Sequence, residues 1–188
     1  MHYAYALLAP AQQSPSQLII RSVQSAQQPC PTLSSGSINT ALTTRQAPKT
    51  GTASFSAVSV CEIAAPAGAA PTGSIAFADG VTLSVPTALS GSVSKIAVIG
   101  DTGCRLVHNL VQDCNSDTGW PLAAFAKQIA AAAPQAVIHV GDYFYDSWPC
   151  EDKADCGHVP PVTAHEPFQD SWASFEYSFL SPFAPVFP

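Results

Sequence analysis

The sequence predicts an α/β fold preceded by a small β-rich module. Three observations carry that prediction. Two short apolar runs, Lys95–Ile99 and Ala136–Val140, each end in Gly-Asp. An Ala-rich stretch of helical character lies between them, so the order is strand, helix, strand, and a right-handed crossover lays such strands parallel. Upstream, Val81–Val85 alternates apolar and polar residues beside Asp79-Gly80, the sign of an antiparallel hairpin.

The elements follow in order. Residues 1–29 are rich in Ala, Gln, Ser and Pro without lasting periodicity and read as a flexible tail or linker. Met1–Ala11 holds a short apolar stretch and an Ala-Pro-Ala ending but no basic n-region, so it reads at most as a signal-peptide remnant and equally as a ragged or mis-started terminus. Residues 30–90 form the small β-rich module: Ser54–Ile63, Ser74–Phe77 and Val81–Val85 are its strands, too few to bury much core alone. In the Asp-Gly turn both central residues are expected at positive φ.

Residues 91–188 carry the α/β part. Lys95–Ile99 reads as a strand buried on both faces. Trp120-Pro121 opens a helix from Leu122 to about Ala132, with Pro at a tolerated first position, and Pro134 ends it. Ala136–Val140 is the second buried strand. Residues 146–167 form a long polar loop. Phe168, Trp172, Phe175 and Phe179 recur at helical spacing as a core-packing face, and Ser181–Pro188 is a Pro-broken connector.

Composition narrows the function classes. The 188-residue chain is 47% hydrophobic and only 11% charged, against roughly 25% in an average soluble domain. A net charge of −6 with seven Lys and Arg argues against a phosphate-backbone binder, so nucleic acid is not an expected partner. No apolar run approaches the roughly eighteen residues that cross a bilayer. The six cysteines contain no Cys-x-x-Cys, and the short separations of Cys104/Cys114 and Cys150/Cys156 suggest disulfides closing loops. Six cysteines admit about fifteen pairings. Disulfides point to an oxidising location: secreted, periplasmic or extracellular.

The informative pair is Asp101 and Asp142. Parallel strands would bring both to one sheet edge, where open α/β sheets bind ligands. Two carboxylates converging there repel each other unless a cation lies between them. Hard oxygen ligands suit Mg, Mn, Fe or Zn ions. Tyr145, three residues beyond Asp142, adds a phenol whose ionisation favours ferric iron. The histidines offer less: His139 sits mid-strand as a core residue, His108, His158 and His165 fall in loops, and His2 is in the tail.

Ile96–Gly103, with its Gly-Asp-x-Gly, resembles the first motif of the calcineurin-like metallophosphoesterases, and Val137–Tyr145, with its Gly-Asp-x-x-Tyr, resembles the second. The two forms together are similar to the purple-acid-phosphatase branch. Cys104-Arg105-Leu106, Gln112-Asp113-Cys114, Trp120-Pro121 and the segment around Trp172 also resemble its bacterial members. The resemblance spans about Ser94–Pro188 and, more loosely, Cys30–Pro86. It implies the N-terminal part of a mixed-sheet sandwich flanked by helices. It also implies two divalent or trivalent metal ions (iron with zinc, manganese or a second iron) and a small phosphoester substrate. Asp101 and Tyr145 would bind one ion and Asp142 would bridge both. The Gly-Asn-His and later histidine motifs of that family do not occur by Pro188, so no catalytic residue is assigned in this chain. Slow or absent turnover by the chain alone is expected, and an unpaired sheet edge is expected to make it marginally stable or aggregation-prone. The competing reading is a truncated, non-catalytic fragment or a secreted binding module. Asp101-Thr102-Gly103 also spells an aspartic-protease triplet, but the second Asp lies in Gly-Asp-Tyr after an Ala-rich helix, which disfavours that chemistry.

Overall fold

The structure, a computed structural model, describes residues 2–9, 18–47, 57–89, 91–108, 110–146, 148–160 and 172–187. It is mixed α/β and mostly β, and divides into two units, Met1–Val93 with Phe187–Pro188, and Ser94–Val186.

The first unit is built from two four-stranded antiparallel sheets. One has the order β1 (His2–Leu8), β2 (Leu18–Ser25), β6 (Val58–Ala64), β5 (Thr43–Gln46). The other runs β4 (Ile38–Ala41), β3 (Thr32–Ser35), β7 (Thr72–Ala76), β8 (Thr82–Pro86). Ala4, Leu18, Ile20 and Cys61 from the first sheet and Leu33, Ile75 and Val85 from the second share one core. A disulfide joins Cys30, ahead of β3, to Cys61 in β6. This unit buries a core of its own, which corrects the expectation of a module too small to do so.

The difference lies in residues 1–29, which are not simply a tail or linker. Strands β1 and β2 pair along their whole length, from His2 opposite Gln24 to Leu8 opposite Leu18. Residues 10–17 of the expected tail, and Met1, lie outside the described residues. The strand signal was hidden because the buried row of β2 is half polar: Ile20, Ser22 and Gln24 are each 0% exposed. Burial of those polar groups is tolerable because they are satisfied. Gln24 Nε2 donates to the Pro29 carbonyl at 2.8 Å, and Ser22 Oγ donates to Gln24 Oε1 at 3.2 Å. Gln24→Leu is therefore expected to destabilise the unit by about 1–3 kcal/mol by orphaning both partners. Chemical denaturation of the two chains side by side checks this.

The Asp79-Gly80 hairpin forms between β7 and β8, but with a three-residue loop. Phe77 N donates to Val81 O at 2.9 Å and Gly80 N to Phe77 O at 3.0 Å. Gly80 has φ +89, whereas Asp79 is not at positive φ. A type I turn closed by a left-handed glycine replaces the mirror-image turn expected. Of the expected strand Ser54–Ile63, the part from Val58 is β6, and Ser54–Ser56 lie outside the described residues.

In the second unit β9 (Ile96–Ile99) and β12 (Ala136–His139) run parallel, Ile96 opposite Ala136 and Ile99 opposite His139. Helix α1 (Leu122–Ala132) connects towards β12; Pro121 is its N-cap and Ala133, at φ 47, its left-handed end. A second sheet has β10 (Arg105–Val107) between antiparallel β11 (Leu110–Val111) and parallel β13 (Tyr145–Asp146). The core gathers Cys104, Leu106, Cys114, Cys156 and Val159, flanked by Trp120 and Tyr177.

Three expectations change here. The strands β9 and β12 are not buried on both faces: Val98 is 62% and Ile138 44% exposed. Their other row is partly covered, since His139 lies edge-on to Phe179 and Phe183. The polar loop contains a helical turn, α2 (Lys153–Cys156), because the Asp152 side chain accepts from Ala154 N. Residues 161–167 of that loop lie outside the described residues. The aromatic face begins in α3 (Trp172–Phe175), with Phe168 outside the described residues, and passes through a π-helical turn (Glu176–Leu180) into α4 (Ser181–Phe183). Ser181–Phe183 is thus helical rather than connector. The wider π register ahead of Pro182 relieves the clash its ring makes with the carbonyl four residues back.

Candidate metal-binding site

Parallel pairing in register places the ends of β9 and β12 side by side, and the residues that follow them are laced together by backbone. Asp101 N donates to Gly141 O at 3.1 Å, while Thr102 N and Gly103 N both donate to Asp142 O, at 2.8 and 3.1 Å. The two aspartates therefore occupy one corner of the sheet, and both side chains are exposed. Both also adopt left-handed backbone, Asp101 at φ 56 and Asp142 at φ 61. Non-glycine residues rarely take that conformation, and where they do the surroundings must hold them there. Gly103 shows how tight the lacing is. A Cβ there would meet the backbone of Tyr143 and Phe144 at 2.8 Å, so the two loops can approach only with glycine at this position.

Tyr145 completes the corner. Its hydroxyl donates to Asp101 Oδ1. The hydrogen bond to Asp101 is the main cause that pushes the phenol pKa up to about 12, with burial and Asp142 adding to it. The phenol is therefore protonated at neutral pH. Tyr145 is placed by β13, where it lies opposite Arg105 of β10. The Arg105 guanidinium sits 5.0 Å from the centre of the Tyr145 ring, a cation–π contact.

A second layer braces the Asp101 loop. Trp120 Nε1 donates to the Thr102 carbonyl at 2.8 Å, and Trp120 stacks on Tyr177 at 5.3 Å. Tyr177 in turn donates from its hydroxyl to the Cys114 carbonyl at 2.9 Å, and Cys114 is bridged to Cys104. His139, expected as a satisfied core residue, is held at both ring nitrogens. Gly141 N donates to Nδ1 at 3.1 Å, which leaves Nε2 to donate to Thr102 Oγ1 at 2.8 Å. Burial pushes the His139 pKa down against the opposing pull of Asp142, which favours this neutral tautomer. His2 pairs with Asp79 from β1 rather than from a tail, His108 lies edge-on to Trp148, and His165 is outside the described residues.

The geometry thus brings together Asp101, Asp142 and Tyr145, the three residues singled out from sequence. Among the described residues no group of three His, Cys, Asp or Glu side chains gathers in ligand geometry; the third donor at this corner is a phenol. Two carboxylates and a phenol form an all-oxygen set that fits a hard cation. A cleft of about 720 Å³ opens beside it, lined by Asp101, Tyr145, Arg105, Trp120 and apolar residues of α1. Sequence reasoning missed Arg105 and Trp120 as parts of the site, because both reach it through pairings distant in the chain.

Three disulfides, Cys30–Cys61, Cys104–Cys114 and Cys150–Cys156, account for all six cysteines and fit an oxidising environment. Among the described residues no helix is long and apolar enough to cross a membrane. No family model, curated protein or solved structure matches the chain.

Proposed function

We propose that this chain carries the metal-binding corner of a phosphoester-hydrolysing site of the calcineurin-like, purple-acid-phosphatase type. The observation that carries the reading is the Asp101–Tyr145 hydrogen bond at a corner where Asp142 also sits, both aspartates being held in left-handed backbone. A protein that needed only a capped turn at these positions has no reason to gather a phenol against two carboxylates. When bound, metal ions at such a corner neutralise charge on a phosphoryl group and lower the pKa of water. The chain's own part is to hold the donors. Asp101 and Asp142 would supply carboxylate oxygens, and Tyr145 would supply its oxygen as a phenolate, its proton released to solvent as the cation takes that proton's place. Trp120 and His139 fix Thr102 so that the Asp101 loop does not shift as charge enters. With two carboxylates and a phenol, the described residues supply too few donors for two fully ligated ions, so slow turnover by this chain is the expected behaviour. The substrate class is a small phosphoester, nucleic acid is not a partner, and the location is outside the reducing cytosol.

The test is metal content. The purified chain, loaded with ferric iron and desalted, is expected to retain the metal and to show a visible phenolate-to-iron absorption. Asp142→Asn is expected to lose most of the metal, and Tyr145→Phe to lose the absorption first. Unchanged iron content in both Asp142→Asn and Asp101→Asn would falsify the reading and leave the corner as a structural turn in a binding module.

A further inference from the structure

The cleft beside the metal corner has a polarity that nothing so far explains. Asp101 and Tyr145 form one end, and Arg105 is the one cationic side chain among the described residues that line it. In a chain with only seven Lys and Arg, a cation placed there is informative. The Arg105 side chain is exposed, and among the described residues the ion pairs are those of His2, Arg21 and Arg45, so Arg105 has none. Its position is fixed nevertheless. Arg105 lies opposite Tyr145 in the parallel ladder, and its guanidinium packs on the Tyr145 ring at 5.0 Å. A guanidinium held over an aromatic face by a cation–π contact still has N–H groups to offer in bidentate bonds to a phosphoryl group.

Away from that end the lining is mostly apolar, Thr102 and Gln112 being its other polar side chains. Phe125 and Leu110 line the cleft at 54% and 50% exposure, joined by Pro121 and Trp120. Large apolar side chains left open beside an anion-gripping edge suit a ligand that is charged at one end and flat and apolar at the other.

We propose that Arg105 grips the phosphoryl group of the substrate and that the Trp120–Phe125 wall receives its leaving group, so that this site takes phosphomonoesters of aryl or other apolar alcohols. The inference rests on the metal-corner reading, because two carboxylates without a cation would repel the same anion. Arg105 acts on binding: it offsets phosphoryl charge and orients the ester with its leaving group towards α1. A lysine keeps the charge but not the fork, so it restores only part of the grip.

The experiment is calorimetric titration of the full 188-residue chain, iron-loaded and freed of excess metal, with inorganic phosphate, phenyl phosphate and glycerol phosphate. Arg105→Ala is expected to keep its metal and to bind all three ligands about tenfold or more weakly, with Arg105→Lys intermediate. Phe125→Ala is expected to weaken phenyl phosphate alone. Equal phosphate affinity in wild type and Arg105→Ala, with metal content intact, overturns the inference while the metal corner stands. Loss of iron in Arg105→Ala assigns the residue to holding Tyr145 and overturns its substrate role. Equal affinity for phenyl and glycerol phosphate removes the apolar leaving-group pocket. If wild type and Asp142→Asn take up no different amount of metal, the functional reading fails and this inference falls with it.

Discussion

Replacing the four cysteines of the second unit, Cys104, Cys114, Cys150 and Cys156, with serine is expected to unfold that unit while the first unit stays folded. The core around the site consists largely of those cysteines: Cys104, Cys114 and Cys156 are at most 4% exposed and pack with Leu106, Val159, Trp120 and Tyr177. The other buried apolar groups of the unit, Leu122, Ala126, Trp172, Leu180 and Phe183, lie outside this cluster, and the parallel strands leave much of their apolar surface in solvent. Closing loops with sequence separations of 10 and 6 removes entropy from the unfolded chain. By the loop-closure relation the two bridges contribute about 2–3 kcal/mol each, together about 5 kcal/mol. That equals the lower end of the roughly 5–15 kcal/mol that holds a whole domain together. The serines also put hydroxyls where a dry cluster stood. The first unit keeps Cys30–Cys61 and its own two-sheet core. All three tryptophans, Trp120, Trp148 and Trp172, belong to the second unit. Tryptophan emission therefore reports that unit alone, while far-ultraviolet circular dichroism is dominated by the strands of the first. The expected result is red-shifted, exposed emission in the variant with most of the β signal retained. Unshifted emission would show that the second unit folds without its bridges. Iron retention is expected to fall along with the emission shift, since the Asp101 loop runs directly into Cys104.

What could be read from the sequence, and what could not, divides by the range of the interaction. Gly-Asp after each apolar run is a local pattern, and parallel pairing in register carries it to one corner, so Asp101, Asp142 and Tyr145 are legible in the sequence. The helix Leu122–Ala132 was equally legible, since Pro121 and Pro134 bracket it. In contrast, β2 carries Ser22 and Gln24 in its buried row, and no hydrophobic alternation marks a strand whose core positions are polar. Its satisfaction comes from the Pro29 carbonyl, five residues on, which only the folded turn brings near. Arg105 was visible as part of a motif but not as a neighbour of Tyr145, because that contact depends on the register of β10 with β13 across forty residues of chain. The open face of β9 and β12 is illegible for a related reason. A continuous apolar run says that a strand prefers to be covered on both faces, not that a cover is present.

Substituting the open face of that sheet, as Val98→Lys with Val140→Glu, is expected to turn a self-associating chain into a monomer without loss of stability. Ile96 and Val98 project on one side of β9, and Ile138 and Val140 on the same side of the β12 run, at 51%, 62%, 44% and 69% exposure. Together they form a contiguous apolar strip on a two-stranded parallel sheet. Such sheets normally have both faces covered, and a pair of strands alone is short of the partners it needs. Burying one aliphatic side chain fully is worth about 1.5–3 kcal/mol, so each of the four retains a share of that drive towards any apolar surface. Among the described residues both strands also end their sheet, which adds rows of backbone donors and acceptors that another chain can pair with. Association through this face is therefore favoured by contact and by hydrogen bonding at once. Because Val98 and Val140 already point to solvent, replacing them disturbs little packing, and the folding free energy is expected to stay within about 0.5 kcal/mol. Sedimentation velocity at rising concentration checks the first claim and denaturant midpoints check the second. Monomeric wild type throughout the series would mean that the strip is shielded in solution. A variant that still associates would move the contact to another surface, and exposed Leu110 and Phe125 would be the next to replace.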